Sequence, residues 1–219
     1  MPRIRIAVGC HPHNAKHYDA ALEAELRKRL TDARVTAIGE VGLDYHYDFS
    51  PKADQIDAFR RQIALAHETD LPIILHLREA HEEAFRIMSE EGFPGGGVLL
   101  HCFNLDWDTL EPWLEKDCYA AFGGSLTFKK SEDTREAARR MPLDRILTET
   151  DAPYMTPEPM RGMECTPDHV IFTAQRLAEA RGCEPGIETF DMLTAVYSNA
   201  LRLLNREPTA WQQKHGGAS

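Results

Sequence analysis

The sequence predicts an α/β fold built on a parallel sheet. Short apolar, β-branched runs recur along the chain, and each is followed by a segment with apolar residues at helical spacing. Strand, helix, strand, helix order calls for right-handed crossovers, which leave neighbouring strands parallel. A third observation places the chemistry: most of these runs finish on His, Glu or Asp.

In chain order, strands are expected at 3–8 (RIRIAV), 35–39 (VTAIG), 72–76 (PIILH), 97–101 (GVLLH), 118–122 (CYAAF) and 145–149 (RILTE). The intervening helices fall near 17–30, 52–69, 79–92, 106–116 and 132–140; Ile56, Phe59, Ile63 and Ala66 give the second its apolar stripe. A proline-rich loop, 152–167, then leads to helices near 168–181 and 187–204. The closing WQQKHGGAS is expected to fray, and neither a solenoid repeat nor a low-complexity tract interrupts the pattern. At 219 residues the chain suits a single domain over 1–219, with 206–219 as a tail.

Composition narrows the function classes. Hydrophobic residues make up 42%, which fits a globular core, and no apolar run reaches the roughly 18 residues of a membrane helix. The start MPRIRIAVGC lacks the apolar core of a signal peptide. Five scattered cysteines (Cys10, Cys102, Cys118, Cys165, Cys183) form no C-x-x-C pair, a pattern expected of free thiols in a reducing cytoplasm. A formal charge of −10 disfavours a broad grip on nucleic-acid phosphate but leaves room for phosphate held locally by metal ions.

The strand ends converge on one chemistry. VTAIGE ends in Glu40, PIILH in His76, GVLLH in His101 and RILTETD in Asp151, while the first run leads into His11 and His13. Functional groups collect at the carboxyl ends of strands in parallel α/β folds. Two imidazoles and two carboxylates at one rim suit a divalent cation. Residues two apart on a strand share a face, so Glu149 and Asp151 are expected to look into one space, and repulsion there calls for an arginine, a lysine or a metal. His67, His81 and His215 lie in helical stretches or the tail and read as structural.

AIGEVGLDYH, LPIILHLREA, VLLHCFN, GGSLTFKK, LTETDAPYMTPEPMRG and SNALRLLN together resemble the TatD family of metal-dependent hydrolases, over about residues 8–204. The resemblance implies a TIM-type (β/α) barrel in which about two N-terminal β/α units are lacking, because the D-x-H-x-H strand that opens many members is not found. HPH at 11–13 matches a later strand of the pattern. Glu40 matches the metal-bridging carboxylate, His76 and His101 the imidazoles of the second metal, and Asp151 the last-strand aspartate that also takes a proton from water. Arg161 matches a substrate-loop residue; Cys165 stands where the family often has asparagine.

The activity so implied is metal-dependent hydrolysis, foremost of phosphodiester bonds in DNA, with Glu40 and Asp151 catalytic and His11, His13, Arg78 and Arg161 contacting phosphate. Arg78 could equally pair with Glu40 or Glu79. The ligand set suits Zn²⁺, Mn²⁺ or Ni²⁺ better than an all-oxygen Mg²⁺ cage, with weak Mg²⁺ binding also compatible. The partner is then a nucleic acid or another phosphate-containing substrate, no membrane is involved, and an exposed first strand blunted by Arg3 and Arg5 invites self-association. Two rivals stand beside this: hydrolysis of an ester or amide such as an aminoacyl-tRNA, and a binding protein of the same fold with an impaired site. The second conflicts with the intact Glu40, His76, His101 and Asp151.

Overall fold

The computed structural model describes residues 4–216, and strands alternate with helices along them in the order the sequence predicts. Two compact units result: one takes in the chain up to Leu99 and again from Leu201 onward, the other runs Leu100–Ala200. Strand order is the order of the chain, β1 through β6, as successive parallel β/α units dictate.

The first unit holds β1 (Ile6–Val8), α1 (Ala20–Leu30), β2 (Val35–Asp44), α2 (Lys52–Thr69), β3 (Ile73–Arg78) and α3 (His81–Glu91). β1 pairs with β2 and β2 with β3, both parallel. β2 is buried along its whole length except at Glu40, the near-continuous apolar run of a strand covered on both faces. Ile38, Leu43, Phe59, Ile63, Leu65, Ile73 and Leu75 fill this core. Two buried glutamines of α2, one heptad apart, substitute for strand neighbours where the strands end. Gln62 accepts from the Cys10 amide (2.6 Å) and donates to its carbonyl (3.1 Å). Gln55 does the same at Asp44, accepting at 2.8 Å and donating at 3.0 Å.

β4 (Val98–Leu100) leads into the second unit, with α4 (Trp107–Leu114), β5 (Tyr119–Phe122), α5 (Glu132–Arg140), β6 (Ile146–Thr148), α6 (Val170–Ala180) and most of α7 (Ile187–Leu204). β5 and β6 are parallel, and Trp113, Phe103 and Phe122 anchor the core. The GGSLTFKK stretch is a 3-10 turn clipped by the buried Arg135, whose guanidinium donates to the Leu126 (3.0 Å) and Phe128 (2.8 Å) carbonyls. A methyl group on Gly124 would lie 1.8 Å from the Met155 carbonyl, so only glycine lets the proline-rich loop pass there. Asn199 of the SNALRLLN stretch ties α7 to the start of β6, donating to the carbonyls of Leu143 (2.7 Å) and Ile146 (2.9 Å).

Several boundaries differ from expectation. β2 runs five residues beyond Gly39, because β3 itself continues to Arg78 and pairs with it as far as Asp44, where Gln55 bonds the Asp44 amide and carbonyl. The helix expected from 17 begins at Ala20, where the Asp19 carboxylate caps the Leu22 amide at 2.8 Å, after a 3-10 turn over Pro12–His17. Of the strand expected at 3–8, Arg3 lies outside the described residues, and Arg5 binds the Asn205 side chain. Within the tail expected to fray, Ala210–His215 form a helix, α8, while residues 217–219 lie outside the described residues. Thr209 caps α8, and the buried Gln212 donates to the carbonyls of Leu30 (2.9 Å) and Val35 (2.9 Å). Among the described residues no helix is long and apolar enough to cross a membrane.

Candidate metal and catalytic centre

In the first unit, β1 delivers the backbone to Cys10, and Gln62 holds it there so that His11 and His13 follow in a fixed turn. The His11 ring accepts the His13 amide through Nδ1 at 3.2 Å. β2 contributes Glu40 through an irregularity. Between Ile38 and Val41 it spends three residues where β3, from Ile73 to Leu75, spends two. Such a bulge re-aims one side chain, and Glu40 is the one residue of β2 that is not buried. β3 places His76 beside Gly42, where an added methyl would sit 2.3 Å from the His76 carbonyl, so a side chain at 42 would displace His76.

Asp44 organises the imidazoles. It is fully buried, its Oδ1 accepts the His46 and Tyr47 amides at 3.0 Å each, and its Oδ2 accepts His13 Nε2 at 2.8 Å and His76 Nε2 at 3.0 Å. Burial opposes its charge, but the Tyr47 amide and the two rings outweigh it and hold the carboxyl down at about 2. An ionised carboxylate only accepts, so both rings carry hydrogen on Nε2, which leaves Nδ1 as the atom of His76 able to offer a lone pair to a cation. That atom lies 3.7 Å from Glu40 Oε2, and His11 Nε2 lies 3.9 Å from the same oxygen. Burial and the neighbouring His76 and His13 push His11 down to about 4, so its ring is neutral at pH 7.

These residues fit a metal. His11, His13 and His76 each offer a ligand atom within 4.8 Å of the others. Glu40 and His76 face each other at a separation too long for a hydrogen bond, close to the ~3.4 Å between donors on a tetrahedral ion with bonds of about 2.1 Å. Neutral imidazole held by a buried carboxylate is the arrangement by which metal-binding histidines are oriented.

In the second unit His101 directly follows β4 and is nearly buried. Its Nδ1 lies 3.0 Å from Glu149 Oε1, the separation of an ion pair without hydrogen-bond alignment. β6 ends at Thr148, and Asp151 has a left-handed backbone (φ 59°), so the strand alternation expected to align Glu149 with Asp151 does not reach them. Cys165, 2% exposed, packs at this turn with its thiol 3.7 Å from the Thr150 carbonyl; burial first, then the Asp151 charge, raises its pKa. Arg161 lies 4.2 Å over the Phe128 ring and donates to the Thr156 carbonyl at 3.3 Å.

A family model described as TatD related DNase matches residues 1–205. The chain belongs to the TatD family. An uncharacterized metal-dependent hydrolase of Bacillus subtilis, YabD, is 39% identical over 201 residues, covering 91% of this chain and 77% of that one. YcfH of Escherichia coli K12, also an uncharacterized metal-dependent hydrolase, is 37% identical to this chain over 180 residues, covering 82% of this chain and 68% of that one. A human relative, the 3'-5' RNA nuclease TATDN2, is 35% identical over 80% of this chain and 24% of its own length. Among solved structures, the TatD homolog YJJV of E. coli superposes with a TM-score of 0.84 at 27% identity, covering 92% of this chain and 77% of that one. The chain is thus a metal-dependent hydrolase of TatD type on a TIM-barrel-like α/β fold.

Of the TatD motif residues named from sequence, the first unit brings Glu40, His76, His11 and His13 together, and the second pairs His101 with Glu149. Arg78 stacks 4.7 Å over the Tyr47 ring, and the nearby Glu79 pairs with His46 at 2.7 Å. Sequence reasoning misses Asp44. The signal is present, since Asp44 follows Glu40 by four residues and shares its face on an extended strand, but a strand expected to end at Gly39 does not reach it.

Proposed function

We propose that this chain hydrolyses phosphodiester bonds of nucleic acid, with Glu40, His76, His101 and Asp151 as ligands of a divalent cation. The observation that carries the reading is the buried Asp44, which presents the His76 Nδ1 lone pair toward Glu40. A bound cation supplies Lewis acidity there, lowering the pKa of water from about 15.7 towards 7 and drawing charge from a phosphoryl oxygen. Asp151 orients the attacking water and accepts its proton. Glu40 would share charge with a second cation, and neutral His11, 3.9 Å from it, would contact the phosphate or complete that coordination. His13, Arg78 and Arg161 are the remaining phosphate contacts.

DNA is the substrate that the family description favours; the human relative's name concerns RNA, so both polymers belong in the assay. The five thiols, all unbridged, suit a cytoplasmic setting. The test is release of nucleotides from single-stranded DNA and RNA with Mn²⁺, Mg²⁺ or Zn²⁺, abolished by a chelator and restored by metal. A folded, metal-loaded chain that releases none from either polymer refutes the reading.

A further inference from the structure

We propose that Tyr47 and Phe49 form a stacking platform for a nucleobase of a single-stranded substrate. The two rings are 41% and 53% exposed, yet they lie parallel at 5.2 Å with 15° between their planes. The His13 ring meets both edge-on, at 5.5 Å and 4.8 Å, and is itself 5.8 Å from His76. One imidazole, His13, therefore bridges the platform and the proposed ligand His76. The Arg78 guanidinium beside Tyr47 adds a cation to the aromatic pair.

Single exposed aromatics are common on protein surfaces, but this pair is pre-organised. The segment bearing it is clamped at one end by Asp44 Oδ1, which accepts two of its amides. At the other end Ser50, itself buried, donates to the His13 carbonyl (2.8 Å), accepts the Lys16 amide (3.1 Å) and has its carbonyl bound by Gln55 (2.9 Å). Two exposed rings held still next to the imidazoles offer a flat apolar face at little ordering cost. The formal charge of −10 makes a salt-dependent phosphate grip weak, whereas stacking on aromatic rings is tolerant of base identity and needs no net positive charge. Bases of a duplex are already stacked on one another, so the platform selects single strands or frayed ends.

The inference rests on the nucleic-acid reading above, and the experiment separates the two. A short phosphorothioate-protected single-stranded DNA carrying 2-aminopurine is titrated with the Mn²⁺-loaded chain, reading fluorescence quenching and affinity. Phe49→Ala is expected to weaken binding by between about fivefold and about 160-fold and to remove most quenching, as loss of one base–aromatic stack does. Phe49→Trp is expected to restore both. An oligonucleotide abasic at the probe position should bind the unmodified chain as weakly as the intact one binds Phe49→Ala. On an unprotected oligonucleotide the loss should appear in KM, and should exceed the loss on bis(p-nitrophenyl) phosphate, which has no base. Unchanged affinity and quenching in Phe49→Ala, or an equal loss on the abasic probe, overturns the platform even if the chain is a nuclease. Quenching that depends on Phe49 without hydrolysis of any diester leaves the platform standing and removes the hydrolytic reading.

Discussion

Replacing Asp44 by asparagine tests whether the buried carboxylate sets the donor atom of His76. The amide oxygen of the Asp44→Asn side chain can still accept the His46 and Tyr47 amides, so the clamp on the following loop persists. The change falls on the other side, where Oδ2 now accepts two ring N–H groups at 2.8 and 3.0 Å. An amide NH₂ there donates, so both imidazoles must move their hydrogen from Nε2 to Nδ1. His76 then points an N–H instead of a lone pair at Glu40, and the carboxylate charge behind the ring is gone. Loss of an orienting partner behind a metal-bound histidine costs about 10–100-fold in affinity or turnover, or about 1.4–2.7 kcal/mol. Only His76 of the two rings is a proposed ligand, so the effect of one such partner is expected. Titration calorimetry with Zn²⁺ or Mn²⁺ gives the affinity, steady-state kinetics give kcat/KM, and circular dichroism reports the fold. A folded Asp44→Asn chain with affinity and turnover within about twofold of the unmodified chain, where the tenfold minimum was expected, refutes the argument.

The proposed ligands should be separable from the fold. His76→Ala and Asp151→Asn are expected to abolish hydrolysis with the far-ultraviolet spectrum intact, because neither opens a cavity in the apolar core; elemental analysis should show reduced metal, and global unfolding of either variant would sink the assignment. Gln212→Ala should lower stability by about 2–3 kcal/mol, since the Leu30 and Val35 carbonyls lose a buried donor. In a chain of this size that is a fall in Tm of about 4–12 °C, and an unchanged Tm would mean that α8 contributes nothing to the first unit.

The helices were legible, in places to the residue. Those expected at 52–69, 132–140 and 187–204 match α2, α5 and α7 residue for residue. Strand ends were less so, because a strand stops where its partners stop and a partner can be a side chain from elsewhere. β3, expected to stop at His76, runs to Arg78 and carries β2 with it to Asp44, whose backbone Gln55 then bonds, and nothing within VTAIGEVGLD announces either. Similarly, WQQKHGGAS is polar and glycine-rich, and only the distant carbonyls that Gln212 satisfies make a helix of its first half.

At the candidate site the same division holds. The sequence by itself determined the residue types and their order along the chain, Glu40, His76, His101 and Asp151, because motif spacing on alternating strands and helices is a local property. Glu40 and His76 prove to lie within β2 and β3, not at their ends. Only the tertiary structure decided which atoms of those residues face one another. A bulge turned Glu40, a backbone approach excluded every side chain but glycine's hydrogen at 42, and a buried carboxylate chose the tautomer of His76. Each of these depends on groups far apart in the chain meeting at hydrogen-bond distance, and no residue carries that information alone.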